Sequence, residues 1–255
     1  MDKRPYLLLS NDDGFAAGGI NFLIDVLRAD YDLLVVAPDG PRSGFSTAFT
    51  VTTPLSVRPV RKEEGLAVYA CSGTPADCVK IAMNRYVKRR PDLVVAGVNH
   101  GDNSSVNAHY SGTMGVASEA VMQGIPAIAF SLCDHRPDAD FEPLRPYVRD
   151  MVARVLRGGM PPLACLNVNF PLRKVFEGVR ICRMANSRWE KEIVDCPAPR
   201  HGDTAYYWMA GECRELEPEA EDTDRWALAH GYVAVTPTTL DNTDYRYSEV
   251  LLDSW

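Results

Sequence analysis

Short apolar runs bounded by turn residues recur through the first half of the chain: Tyr6–Leu9, Leu33–Ala37, Leu93–Ala96 and Ala127–Phe130. They are continuous rather than alternating. A strand covered on both faces reads this way, which implies a parallel sheet between two layers of helices. The intervening stretches supply the helices. Ile20–Leu27 sets Ile20, Leu23, Ile24 and Leu27 on one helical face. A second helix, from Pro75 to about Val87, has a clear start: Thr74 as N-cap, Pro75 at the first position and Asp77 three after the cap. Thr113–Met122 stops at Gly124, with Pro126 beyond, and Leu144–Leu156 ends at Gly158-Gly159. This alternation predicts an α/β fold, a Rossmann-like doubly wound and mostly parallel sheet.

Two tracts break the pattern. Thr50–Val60 is rich in β-branched residues and proline, and predicts an extended arm or hairpin. After about Met184 the alternation fades into Pro197-Ala198-Pro199, an acidic segment and a final tract, Asp224–Trp255. Residues 1–184 are therefore expected to form the α/β core and 185–255 a C-terminal appendage used in oligomer contacts. Trp226, Tyr232, Tyr245, Tyr247, Leu251, Leu252 and Trp255 give that tail much apolar surface.

Composition narrows the partners. Hydrophobic residues at 46% and charged residues at 24% of 255 are ordinary for a globular domain. No apolar stretch reaches the roughly 18–20 residues that span a bilayer. Tyr6–Leu9 is too short for a signal-peptide core, so a cytoplasmic protein without a membrane partner is expected. Seven cysteines without CxxC spacing predict small buried hydrophobes, not disulfides or a zinc site. A net charge of −7 argues against a nucleic-acid polymer, which needs a basic face. Much of that charge sits between Glu212 and Arg225, where seven acids face two arginines, and this segment reads as a solvated face outside the site.

Candidate chemistry lies at the strand ends, where open α/β sheets bind their ligands. The first strand ends in Ser10-Asn11-Asp12-Asp13-Gly14 and the second in Pro38-Asp39-Gly40-Pro41-Arg42-Ser43-Gly44. The third ends in Gly97-Val98-Asn99-His100-Gly101-Asp102-Asn103, and Tyr110-Ser111-Gly112-Thr113 then opens a helix. Adjacent carboxylates such as Asp12 and Asp13 repel unless a cation lies between them. With Ser43 and Asn99 they offer oxygen ligands to one hard divalent ion, Mg²⁺ or Mn²⁺. Asn-Asp-Asp-Gly is also a good turn sequence, and that reading stays open. Ser111-Gly112-Thr113 suits a phosphate at a helix N-terminus, or plain capping. His100 and His109 sit in the same loop as second candidates. There is no GxxxxGK[ST], no GxGxxG after the first strand and no GxSxG, which leaves NTPase, dinucleotide and serine-hydrolase chemistry unsupported.

Taken together, Leu8-Leu9-Ser10-Asn11-Asp12-Asp13-Gly14, Ala37-Pro38 through Ser43-Gly44, Ser72-Gly73-Thr74-Pro75-Ala76-Asp77, Gly97 to Asn103, Tyr110 to Thr113 and Asp224 to Val233 resemble the SurE family of metal-dependent nucleoside-monophosphate phosphatases. The resemblance runs in unbroken order along nearly the whole chain. It implies a divalent metal on Asp12, Asp13, Ser43 and Asn99, with Asn103, Ser111, Gly112 and Thr113 around the phosphate. Asn11 and Gly44 would add substrate contacts. It further implies hydrolysis of 5′- and 3′-nucleotides, activity of some members on polyphosphate, and homodimers or homotetramers that exchange the C-terminal tract. Asp102-Asn103-Ser104-Ser105 departs from the more apolar, glycine-rich sequence common there. Asp12 and Asp13 are the expected catalytic residues, orienting or deprotonating a metal-activated water. An aspartyl-phosphate route and a non-catalytic nucleotide- or phosphosugar-binding regulator are the alternatives.

Overall fold

A computed structural model describes residues 4–197 and 204–255. Residues 1–3, Ala198-Pro199 of the proline-rich stretch and His201 lie outside them. The chain runs β1 (Tyr6–Ser10), α1 (Gly18–Leu27), β2 (Asp32–Pro38), β3 (Val57–Glu63), β4 (Leu66–Cys71), α2 (Pro75–Ile81), β5 (Leu93–His100), α3 (Asn107–Tyr110), α4 (Gly112–Met122), β6 (Ala127–Leu132), α5 (Arg145–Gly158) and β7 (Ala164–Phe170). It continues through β8 (Val179–Ile181), β9 (Ser187–Glu190), β10 (Ile193–Cys196), β11 (Tyr206–Met209), β12 (Glu212–Glu215), α6 (Asp224–Ala229), β13 (Val233–Thr239) and α7 (Tyr245–Ser254).

Nine strands form the central sheet, in the order β3-β4-β2-β1-β5-β6-β7-β13-β8. Strands β4 to β7 pair in parallel across it. Burial follows the strand period of two. On β1, Leu7 and Leu9 join Leu23 of α1 and Val148 of α5 in one core, while Tyr6 and Leu8 join Val79 of α2 and Val116 of α4 in the other. This is the doubly wound α/β sandwich that the apolar runs predict. The start of α2 is as expected. Thr74 Oγ1 accepts from the Asp77 amide at 3.1 Å and Asp77 Oδ2 from the Thr74 amide at 2.9 Å. Regular α-helix ends at Ile81, and residues 82–86 continue as a wider π turn.

The arm or hairpin expected at Thr50–Val60 divides between the two: residues 50–56 stay irregular, and Val57–Val60 open β3, which turns at Glu64-Gly65 and pairs antiparallel with β4. One expectation needs correcting: the stretch 185–255 is not wholly an appendage to the sheet. Strand β13 inserts between β7, its antiparallel neighbour, and β8, its parallel one. Its buried apolar run, Val233 to Val235, is too short to stand out in the sequence, and Pro237 lies in the same strand. What leaves the sheet is an arm of two nested two-stranded sheets, β9 with β12 and β10 with β11, and the terminal helix α7.

The chain moves from β1 outward to β2 and β4, then returns to β5 on the other side of β1. The carboxyl ends of β1 and β5 therefore flank the switch point, where a crevice is expected.

Candidate active site

The loop after β1 forms the turn that its sequence predicts. The buried Asn11 side chain donates to Gly14 O at 3.0 Å and accepts from the Gly14 amide at 3.2 Å, closing the turn. That turn presents Asp12 and Asp13. Asp12 is 3% exposed, and Thr113 Oγ1 donates to its Oδ1 at 2.5 Å. The close fit requires glycine at 112: a Cβ there would lie 2.6 Å from Asp12 Cβ. Burial pushes the Asp12 carboxyl up to about 6; the Thr113 hydroxyl pulls it down and the neighbouring Asp13 charge pushes it further up. Burial raises Asp13 too, against the His100 amide, which donates to its Oδ2 at 3.3 Å, and the His100 and His135 side chains. Two crowded carboxylates that resist ionising together are what a cation would relieve.

The loop after β2 is tied to this turn, since the Arg42 amide donates to Asp12 O at 2.7 Å. Ser43 and Gly44 are exposed at its tip. The loop leans on α4 at Gly115, where a Cβ would sit 2.0 Å from Ser46 O, and Ser46 Oγ donates to His109 O at 2.7 Å. After β5, Asn99 Nδ2 donates to Gly101 O at 2.8 Å, and no group among the described residues donates to its Oδ1. Asn103 belongs to a buried amide network. Its Nδ2 donates to Ser131 Oγ at 2.8 Å, its amide to Asn169 Oδ1 at 2.7 Å, and Asn167 Nδ2 donates to its carbonyl at 2.7 Å. Ser111 caps α4 by accepting from the Met114 amide at 3.0 Å.

Asp12, Ser43, Gly44, Asn99, Asn103 and Ser111 converge on one cleft of about 570 Å³. Asp13 stands beside it. Asn11, Gly112 and Thr113 lie behind the wall, where they shape the turn and hold Asp12. The oxygen set suits a hard divalent cation: two carboxylates, the undonated Asn99 Oδ1 and the exposed Ser43 hydroxyl. Among the described residues no three His, Cys, Asp or Glu side chains gather as a metal site, so neutral oxygens have to complete this one.

His100 and Tyr110, both candidates from the sequence, line the cleft. Sequence reasoning missed the rest of the wall: Asn107, His135, and Trp189, Glu192, Met209 and Ala210 of the arm. His109 faces a separate cavity. The arm arrives from far along the chain, so no strand-end rule points to it; its one signal is a large aromatic, Trp189, between Arg188 and Glu190. The acidic segment is not merely solvated either. Buried Asp224 accepts from the amides of Ser105 at 2.8 Å and Ala185 at 3.0 Å, and Arg225 reaches Asp102 at 3.3 Å and Glu215 at 3.0 Å. The tail thus braces the loop that carries Asn103.

Known proteins share this architecture and sequence. The chain is similar to a protein of Bacteroides fragilis named 5′-nucleotidase SurE, at 53% identity over 254 residues, covering 100% of this chain and 98% of the relative. It is 54% identical over 243 residues to a Phocaeicola vulgatus protein of the same name, covering 95% and 94% of the two chains. The crystal structure of the SurE protein from Aquifex aeolicus superposes with a TM-score of 0.81 at 36% identity, covering 98% of this chain and 99% of that one. The family described as "Survival protein SurE" matches residues 7–191, the stretch that carries every strand-end cluster of the cleft, and with these relatives that match makes the chain a member of the SurE family.

Proposed function

We propose that this chain is a metal-dependent phosphomonoesterase that hydrolyses nucleoside 5′-monophosphates, and 3′-monophosphates as well, to nucleoside and phosphate. One observation carries the reading: of a crowded carboxylate pair at the sheet's switch point, Asp12 lines and Asp13 adjoins a cleft that also holds neutral oxygen donors and the capped N-terminus of α4. The name shared by the relatives, 5′-nucleotidase SurE, supports the substrate class. Asp12, Asp13, Ser43 and Asn99 would hold one Mg²⁺ or Mn²⁺, which when bound supplies Lewis acidity to the phosphate and to an attacking water. Asp13 orients that water and takes its proton, while Asp12, fixed by Thr113, holds the geometry. The Asn103 and Ser111 side chains and the Gly44 amide bind the phosphoryl oxygens and stabilise their charge as the water oxygen bonds to phosphorus and the ester oxygen leaves, protonated by solvent to give the nucleoside hydroxyl. The same contacts extend to the terminal phosphate of a polyphosphate. We place the protein in the cytoplasm, as a homodimer or homotetramer with C-terminal exchange.

The test is phosphate release from 5′-AMP and 3′-AMP with Mg²⁺, Mn²⁺ or a chelator. Release is expected with metal only, and Asp12→Asn and Asp13→Asn should each lower it by about a hundredfold or more while the fold persists. Chelator-resistant release would refute metal dependence. Nucleotide binding without release under any metal would favour a regulator.

A further inference from the structure

The outer part of the cleft is built by the arm, not by the sheet. Within it Trp189 is anchored from two sides. Its Nε1 donates to Asn107 Oδ1 at 3.0 Å, which ties the ring to the loop after β5. Gly211 packs against it so closely that a Cβ there would lie 3.1 Å from Trp189 Cε3. Next to it, Ser187 Oγ donates to Ser105 Oγ at 2.9 Å, so β9 is fastened to the site loop at a second point. The indole N–H is therefore spent inside the protein, and Trp189 is one of the residues that line the cleft. Tyr110, the other aromatic on the wall, is 55% exposed and its hydroxyl has no partner among the described residues.

We propose that Trp189 is the stacking platform for the nucleoside base and thereby makes the cleft selective for nucleotides over plain sugar phosphates. The inference rests on the phosphomonoesterase reading. A fixed indole face beside a phosphate pocket suits a ligand with a flat π system attached to a phosphate, and it accepts any base because every base has such a face. A large ring favours purines over pyrimidines by overlap area. The immobilised ring loses little rotamer freedom when the base arrives.

Kinetics on 5′-AMP and on ribose 5-phosphate, the same phosphate ester without a base, test this. In Trp189→Ala the ratio of kcat/KM for 5′-AMP over ribose 5-phosphate should fall by about tenfold or more, mainly through KM for 5′-AMP. Trp189→Phe, which stacks but cannot donate to Asn107, should restore most of the ratio. An unchanged ratio in Trp189→Ala, or equal losses on both substrates, would overturn the stacking role and leave only a structural one. If the wild type released phosphate from neither compound, the phosphomonoesterase reading would fail instead. Calorimetric affinities of the same variants for the same two compounds would then decide the stacking role.

Discussion

Thr113 illustrates how a residue can matter to a site without reaching its cleft. It is fully buried, and its hydroxyl is committed to Asp12. Thr113→Val keeps the shape and removes the donor, so a buried carboxylate loses a partner that favours its ionised form. Groups that orient metal ligands typically matter by about 10- to 100-fold in metal affinity. The Mg²⁺ or Mn²⁺ concentration for half-maximal phosphate release should rise by about that factor in Thr113→Val and return toward wild type in Thr113→Ser. An unchanged metal requirement would count against Thr113 as a positioning residue. At this scale the sequence was partly legible. Asp12, Ser43, Asn99, Asn103 and Ser111 could be placed because each follows a strand or opens a helix. Which neighbours face the cleft could not: Asn11, Gly112 and Thr113 share the same loops, yet the Asn11 side chain is spent on the Gly14 turn, Thr113 on Asp12, and Gly112 is packed against Asp12.

Helix α2 shows an element fixed by its own first turn and then used as an anchor. Asp77 closes the capping box with Thr74 and also holds the irregular stretch after the Ser43 loop, accepting from the Thr50 amide at 2.9 Å and the Thr50 hydroxyl at 2.6 Å. Burial alone would raise this carboxyl, but the Thr50 and Thr74 donors outweigh it and leave it below its ordinary value of 3.8. A depressed native pKa stabilises the fold fully above the unfolded value, and that contribution disappears as pH falls through the native one. Urea midpoints should therefore drop as pH falls below about 3.8, and Asp77→Asn should flatten that part of the profile. At neutral pH the variant should be less stable by about 1–3 kcal/mol. A wild-type profile as flat as the variant's would contradict the assignment. The start of α2 was legible because capping is local. The place of β13 was not, because its apolar run is short and its neighbours, β7 and β8, come from elsewhere in the chain.

Across the whole molecule, the tail combines two roles that its composition merged into one. Asp224, Arg225 and β13 belong to the folded body: they brace the site loop and fill the sheet between β7 and β8. Helix α7 does not. None of its residues is buried, and Tyr245, Tyr247, Val250 and Leu252 are 59–83% exposed, followed by a fully exposed Trp255. The arm likewise exposes Tyr207, Trp208 and Met209 at 59–74%. Apolar surface on this scale is costly in water and marks protein contact. The two roles predict different outcomes for two truncations. A chain ending at Arg214 loses β13 and Asp224 together, so β7 and β8 lose their shared neighbour; it should fail to fold, and its elution would say nothing about assembly. A chain ending at Asn242 keeps every sheet strand and loses only the exposed helix. It should retain a cooperative thermal transition but elute from size exclusion as a smaller species than the full chain. If it folds and its elution class is unchanged, α7 is not the subunit contact, and the aromatic face of the arm becomes the surface to mutate.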